Sequence, residues 1–333
     1  MRRGRATTCA AVFALGVCGG TACTGASTAR PVFPRVPSGL SVLVPVPAAN
    51  PLTVEKAELG RRLFFDKRLS RDETLACASC HASRRTFADR RPVSVGIEGR
   101  RGRRNAPSLF NRAYTRALFW DGRAVSLEEQ ALLPIVSPTE LGNTHEEILR
   151  RLRASQTYRD FFERSFDSAD ITIERVAQAI ATFERTLLSG GSSFDRYEGL
   201  GDRSALSASA RRGVALFRGK ARCHLCHDGP LFTDDRFHNT GIGWQQSPPD
   251  LGRFEATGEE LDRGAFRTPS LRNAERTAPY MHNGSLRTLE AVIDVYNRGG
   301  GPNPNLDGQI KPLALTRQEK KDLVAFLKSL TGS

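Results

Sequence analysis

A five-residue motif occurs twice in this chain of 333 residues and limits its possible folds more than any other feature. The first copy, CASCH, spans Cys77–His81, and the second, CHLCH, spans Cys223–His227. In a C-x-x-C-H motif both thiols can bond covalently to the vinyl groups of a haem, and the histidine becomes an iron ligand. Two copies therefore predict a chain that wraps two covalently bound c-type haems.

Two C-x-x-C pairs can also build a zinc site, so this alternative has to be weighed. In zinc ribbons the two pairs lie roughly 15–20 residues apart. Here the pairs lie in different halves of the chain, and each is followed by its own histidine. We therefore predict haem attachment, through Cys77, Cys80, Cys223 and Cys226, with His81 and His227 as the proximal iron ligands.

The first 29 residues have the pattern of a secretory signal peptide. A positive start is followed by the short apolar run Cys9–Cys18 and by the small-residue stretch Gly19–Ala29. The apolar run is too short to span a bilayer, so we predict export to the periplasm and no transmembrane segment. Lipid attachment at Cys23 is a less favoured alternative, because Gly20 stands where a leucine is usual.

Charge and cysteine usage agree with an exported redox protein. The formal net charge of +13 includes three signal arginines, and the mature chain keeps only four of the seven cysteines. Many arginines cluster between Arg84 and Arg104, and a basic face can steer an acidic redox partner or neutralise haem propionates. No nucleic-acid-binding motif accompanies them, so we predict no nucleic-acid partner.

An internal repeat suggests two domains. Residues 30–50 form a lead-in rich in proline and valine, and then similar helical segments precede the two motifs, Glu58–Phe64 and Arg211–Phe217. We predict a mainly α fold with two cytochrome c-like domains, 51–200 and 206–333, each wrapping one haem. Apolar periodicity predicts further helices: Ile148–Phe162, Ile173–Leu188, Leu286–Tyr296 and Thr316–Leu330, with Thr172 and Thr316 as N-caps.

The residues on the far side of each iron decide whether a haem reacts. Cleavage of peroxide needs an acid/base to move a proton between its oxygens, and Glu140 with Gln130 could do this at the first haem. Trp120 is either a redox-active side chain or a core anchor. At the second haem, Met281 and Tyr296 are the two candidate ligands, and spacing alone leaves both open.

At this point the residues resemble a known family, the bacterial di-haem cytochrome c peroxidases and the related MauG-type enzymes. The similarity runs in order from about residue 50 to the C-terminus. It includes both haem motifs and four further segments: Arg104–Ser108, Phe119–Arg123, Leu127–Gln130 and Thr268–Asn273.

This resemblance implies roles for individual residues. His81 would ligate the peroxide-reactive haem, Pro134 would help Gln130 and Glu140 to form its distal pocket, and Trp120 would relay electrons between the haems. A calcium ion would lie between the haems, held by Asn105 and the backbone of Thr277 and Pro279. His282 falls on a family position near the domain interface.

Two departures from the peroxidase pattern bear on function. Many members carry a histidine in the loop after the first motif that caps the resting iron. Between Ala82 and Arg104 there is none, with Glu98 the nearest substitute, so we expect a first haem that is open at rest. Tyr296 occupies the position of the usual methionine ligand, as in MauG, so the resemblance favours Tyr296 over Met281.

The resulting hypothesis is a periplasmic di-haem peroxidase that reduces hydrogen peroxide with electrons from a small cytochrome c or a cupredoxin. The first alternative is a MauG-like enzyme that oxidises tryptophan or tyrosine side chains of a partner protein. The second is a non-catalytic electron-transfer cytochrome. Relatives suggest a homodimer.

Overall fold

The computed structural model describes residues 34–40 and 43–332. The predicted signal peptide and Cys23 lie outside the described residues. The described chain is mainly helical, with one two-stranded antiparallel ribbon of β1 (Phe237–His238) and β2 (Phe266–Arg267). Its α-helices are, in order: α1 Val54–Phe65, α2 Cys77–Cys80, α3 Leu127–Val136, α4 His145–Arg153, α5 Gln156–Phe166, α6 Ile173–Arg185, α7 Ser193–Gly199, α8 Ala208–Arg218, α9 Phe254–Thr257, α10 Leu289–Asn297 and α11 Arg317–Ser329.

The sequence repeat corresponds to a repeated pair of packed helices. Helix α1 packs against α6 in the first half, and α8 packs against α11 in the second. A glycine lies at each crossing: a Cβ atom on Gly60 would lie 1.8 Å from the Ala179 carbonyl oxygen, and one on Gly213 would lie 2.1 Å from that of Asp322. Both glycines occupy the third position of the repeated segment, so the repeat preserves the close approach of two helix backbones.

Each helix pair belongs to its own hydrophobic core. The first core includes Phe64, Phe162 and Ile180, and the second includes Phe217 and Phe326. Because the two clusters are separate, the structure has the two cytochrome c-like domains that the sequence predicts. No helix among the described residues combines the length and the apolar character needed to cross a bilayer.

The helix predictions were correct except in one segment. The single helix predicted over Ile148–Phe162 is wrong, because α4 ends at Arg153 and α5 begins at Gln156. The buried residues reveal the break: Leu152 and Tyr158 are six positions apart, a spacing that one continuous helix places on different faces. Both predicted N-caps are present, since Thr172 accepts from the Arg175 amide and Thr316 forms a capping box with Glu319.

Two segments outside the helix pairs also contact the second half of the chain. The predicted boundary stretch, 189–207, contains α7, whose Phe194 lies in the second core. The lead-in has no helix or strand among its described residues, but the Gly39 carbonyl oxygen accepts a hydrogen bond from Arg272 at 2.8 Å. The lead-in therefore contacts the second half of the chain.

Two candidate haem sites

The first motif forms one helical turn that ends at a well-positioned histidine. Helix α2 is Cys77–Cys80, and His81 follows it directly. The His81 Nδ1 atom lies 3.0 Å from the Phe87 carbonyl oxygen, and burial lowers the pKa of the ring. The ring is therefore neutral at pH 7, with its proton on Nδ1 and the Nε2 lone pair available to an iron.

The second motif repeats this arrangement. Cys223–Leu225 forms a short 3-10 turn, and His227 Nδ1 lies 2.9 Å from the Phe232 carbonyl oxygen. Burial again lowers the pKa of the imidazole. All four motif thiols are free rather than joined in disulfides. Both sites thus present two thiols and a neutral imidazole, the donor set that covalent haem attachment requires.

A cavity of about 250 Å³ lies beside Cys223, Cys226 and His227. We call it the second cavity because it adjoins the second motif. Its walls are largely apolar, and they come from both domains, with Trp120 on one side and Ile293 on the other. A planar apolar group bonded to the two cysteines would fill this space. The residues present therefore fit a haem at the second motif.

Both candidate ligands for the second iron line this cavity. Tyr296 lies at the end of α10, and Met281 lies in the preceding loop. Burial raises the pKa of the Tyr296 phenol, with further contributions from Cys223 and Cys226, so the phenol lies near the attachment thiols. His227 and either of these side chains could together hold the iron of a haem at this site.

Helix α3 packs, through Ala131 and Ile135, in the same core that Cys77 contacts. It begins at Ser126, whose side chain accepts from the Glu129 amide, and it contains Pro134. Pro134 has no N–H to donate to the Gln130 carbonyl, and Gln130 and Pro134 are one turn apart on the same face. The Leu141 amide donates to the Pro134 carbonyl at 3.1 Å, which brings the following segment back against the helix.

Glu140 is held in that returning segment. Its amide donates to the Ser137 carbonyl at 3.0 Å, and its carbonyl accepts from the Ile97 amide at 2.9 Å. Burial raises the pKa of the Glu140 carboxyl, and Arg123 opposes the rise. After burial, the Glu140 charge is among the causes that raise the pKa values of Cys77 and Cys80. The carboxyl is thus a poorly hydrated acid beside the first attachment site.

Glu98, the nearest substitute for a capping histidine, is turned towards solvent. It pairs with Arg100 at 2.7 Å and with Arg71, and its side chain is 50% exposed. Two arginines therefore hold it as a surface carboxylate.

Glu184, a buried carboxyl near the first site, is not among the residues that the sequence predicts to be functional. It lies on α6 and is 4% exposed, and its Oε2 atom has no hydrogen-bond partner among the described residues. The adjacent Arg185 pairs with Glu128 at 2.8 Å instead. Burial raises the pKa of Glu184 to about 8, and its charge contributes to the raised pKa of Cys77. Only its place within an otherwise buried helix face could have identified it from sequence.

We expect Glu184→Gln to stabilise the protein increasingly as pH rises from about 5 to 9. The folded carboxyl binds its proton up to about pH 8, whereas the unfolded group loses it near 4.5, so folding stability falls across that window. The gain in unfolding free energy should approach something on the order of 3 kcal/mol at pH 9. Urea midpoints measured from pH 5 to 9 check this, with the exposed α6 variant Glu174→Gln as control. An equal effect of Glu184→Gln at every pH would contradict the assignment.

Trp120 lies where the two domains meet. Its indole Nε1 donates to the Asn105 carbonyl at 2.9 Å, and the Arg267 amide donates to the Trp120 carbonyl at 2.8 Å. The side chain is 9% exposed and lines the second cavity, with its ring centroid 6.4 Å from that of His282. His282 itself stacks on Phe266 at 3.6 Å. Trp120 lines the second cavity, and α3, which packs in the first core, begins at Leu127 shortly after it in the chain.

The three residues predicted to bind calcium also line this cavity. Asn105, Thr277 and Pro279 all line it. The Asn105 Nδ2 atom donates to the Arg91 carbonyl at 2.9 Å, which turns its Oδ1 atom towards other partners. One amide oxygen and two backbone carbonyls are suitable oxygen donors for calcium.

Known proteins of similar sequence show which family has this arrangement of two haem motifs. A family model described as di-haem cytochrome c peroxidase matches residues 54–204. The methylamine utilization protein MauG of Methylorubrum extorquens is 43% identical, over 96% of this chain and 93% of that protein. The cytochrome c551 peroxidase of Nitrosomonas europaea is 38% identical, over 86% of this chain and 83% of that protein.

A solved structure gives the same result for the fold. The crystal structure of a MauG-like protein associated with microbial copper homeostasis superimposes with a TM-score of 0.81 and 39% identity, covering 91% of this chain and 95% of that one. Similarity of this extent includes both domains and both haem motifs. The chain belongs to the family of di-haem cytochrome c peroxidases and MauG proteins.

Proposed function

We propose that this protein is a periplasmic di-haem peroxidase that reduces hydrogen peroxide to water with electrons from a small cytochrome c or a cupredoxin. The observation that carries the proposal is the position of Glu140, a partly buried carboxyl with a raised pKa beside Cys77 and Cys80. Peroxide cleavage requires an acid/base beside the iron, whereas simple electron transfer does not.

A haem on the first motif would supply the iron that binds peroxide and the electrons that reduce it. Glu140 would accept the proton of the nearer peroxide oxygen and return it to the departing oxygen, as a single acid/base. Gln130, one helical turn before Pro134, would donate an amide hydrogen bond to the bound oxygen. Because Glu98 is held by Arg71 and Arg100, this site would need no side chain to leave before substrate enters.

Electrons would enter through the second domain and reach the first site by way of Trp120. Its contacts with both domains support this role. The mature chain would have a formal net charge of +10, since the signal contains three of the positive charges in the total of +13. A strongly basic protein favours an acidic electron donor, and association should weaken as ionic strength rises.

A MauG-like reaction is the second candidate, and one observation favours it. The Tyr296 phenol lies in the second cavity near Cys223 and Cys226, where an anionic oxygen ligand would stabilise an oxidised iron. The 43% identical MauG relative supports the same choice. In this alternative the oxidising equivalents act on tryptophan or tyrosine side chains of a partner protein instead of drawing electrons from a small donor.

Cyanide titration of the fully oxidised holoprotein tests the open first site. We expect one cyanide to bind per chain without prior reduction, because only the second site has a candidate sixth ligand. Absence of binding until the protein is half-reduced would indicate a capped first site. Absence of binding in every state would support the pure electron-transfer alternative.

We expect Tyr296→Phe to change the absorption and EPR spectra of the second haem from low-spin to high-spin. The substitution removes the phenol oxygen and keeps the ring that packs in the cavity. Met281→Leu is the matched variant and should leave both spectra unchanged. The opposite result, with the low-spin signal lost only in Met281→Leu, would assign the ligand to methionine.

We also propose one calcium ion held by the Asn105 side chain and the carbonyls of Thr277 and Pro279. Because the Asn105 carbonyl accepts from Trp120, loss of the ion should disturb the path between the domains. We expect chelator treatment to slow electron transfer between the haems, and added calcium to restore it. Full inter-haem transfer in chelated protein that elemental analysis shows to be free of calcium would rule the site out.

A further inference from the structure

The charged side chains in the otherwise apolar wall of the second cavity are all basic. Among the described residues that line it there is no aspartate or glutamate. Its permanently basic side chains are as follows: Arg112, Arg222, Arg267, Arg272 and Lys311. A cavity with this lining is suited to an anionic occupant.

Most of these charges are already compensated. Arg272 makes a bidentate pair with Asp195, with both contacts at 2.9 Å. Arg267 contacts Asp235 at 3.1 Å. Arg222 and Lys311 are exposed, so water solvates their charges.

Arg112, unlike these four residues, is both buried and without a counter-ion among the described residues. It is 7% exposed, its Nε atom donates to the Ser108 carbonyl at 2.9 Å, and it forms no ion pair within the described part of the chain. Burial and, to a smaller extent, the neighbouring Arg267 together lower the pKa of Arg112 to about 9, against a smaller opposing effect of Asp235. A buried guanidinium without a counter-ion is costly, so the functional protein is expected to supply an anion there.

We propose that Arg112 and Arg267 bind a propionate of the haem attached at Cys223 and Cys226. This inference rests on the second haem of the proposed function. The haem fills the cavity that both arginines line, and its two propionates are its anionic groups. The planar guanidinium fork suits a carboxylate, and two arginines facing one Asp235 leave one positive charge for the propionate.

The two arginines line the second cavity, and Arg267 also contacts the segment that contains Trp120. Arg112 begins the 3-10 turn Arg112–Tyr114 of the N-terminal domain, so it would hold the haem of the other domain across the interface. The Arg267 amide donates to the Trp120 carbonyl at 2.8 Å, and its Nε atom donates to the Phe119 carbonyl at 3.3 Å. The same pair would therefore position the second haem relative to Trp120.

Spectroelectrochemical titration of the holoprotein tests the proposal. Each variant is first shown to contain two haems per chain. In Arg112→Gln we expect the midpoint potential of the second haem to fall, because loss of a nearby positive charge favours the ferric state. Arg112→Lys should restore most of the potential. Arg116→Gln, which removes an exposed arginine four residues away, should leave it unchanged.

Two results would overturn the assignment. One is a second-haem potential that is the same in Arg112→Gln and the wild type. The other is a shift confined to the first haem. If Arg112→Gln does not fold, resonance Raman spectra of wild type and Arg112→Lys give the comparison: altered propionate bending modes of the second haem support the contact, and identical modes refute it. The midpoint potential is measured without peroxide turnover. If the protein shows the shift in potential but proves inactive with peroxide, the propionate site stands and only the proposed reaction is refuted.

Discussion

Glu140→Gln is expected to lower kcat for peroxide reduction by roughly 10²- to 10⁴-fold, the usual contribution of a positioned acid/base. Glutamine keeps the size and hydrogen-bonding shape of the side chain but cannot accept and return a proton. The Glu140 backbone is held by Ser137 and Ile97, so the substituted side chain should keep its place. Cyanide binding should therefore persist in the variant while peroxide cleavage fails.

Glu98→Gln is the matched control for this experiment. It changes a second carboxylate in the neighbouring loop, one that is half-exposed and paired with Arg71 and Arg100. We expect it to retain nearly full turnover, measured by stopped-flow with peroxide and a reduced small cytochrome c. Equal losses in both variants, or none in Glu140→Gln, would show that Glu140 is not the acid/base.

Trp120→Leu is expected to lose most of the steady-state turnover while keeping the first reaction with peroxide. The indole contacts the Asn105 carbonyl in its own domain, and the Trp120 carbonyl accepts from Arg267 in the other. Leucine preserves an apolar filling at this buried position but removes the aromatic group that would pass electrons. The loss should therefore appear in the reduction of the first haem by the second.

The other tryptophan of the chain provides the control. Trp244→Leu removes a partly buried indole from a loop of the second half of the chain. Rapid-reaction spectra with one equivalent of peroxide, followed by reduced donor, separate the two steps in each variant. Unimpaired re-reduction of the first haem in Trp120→Leu would exclude the tryptophan from the electron path.

The parts of the fold that follow from local chemistry could be predicted from the sequence. The C-x-x-C-H spacing identifies the attachment residues, and the structure adds a carbonyl acceptor for each histidine, from Phe87 and Phe232. The caps at Thr172 and Thr316 follow from side-chain hydrogen bonding to the first turn of a helix. These features depend on residues that are close together in the chain, so a short sequence pattern is enough to predict them.

The missed features depend on contacts between distant segments. Arg112 has the sequence signature of a solvated surface charge, and only the packing of remote elements against it reveals that it is buried. Glu184 is also buried, and its position in a mostly apolar helix is the one local sign of this. The break between α4 and α5 was missed because the residues on either side keep helical periodicity, and only the interval from Leu152 to Tyr158 is irregular. Burial of a charge is a tertiary property, and here it marks the candidate sites that sequence alone does not show.

The most direct test of the proposed function is the reaction of the fully oxidised holoprotein with peroxide in the presence of a reduced small cytochrome c. The structure predicts immediate, repeated turnover without prior reduction, since Glu98 is held away and Glu140 is already in place beside the first motif. A long-lived oxidised state that does not accept electrons from the cytochrome would contradict the peroxidase assignment and indicate the MauG-like reaction on a protein substrate.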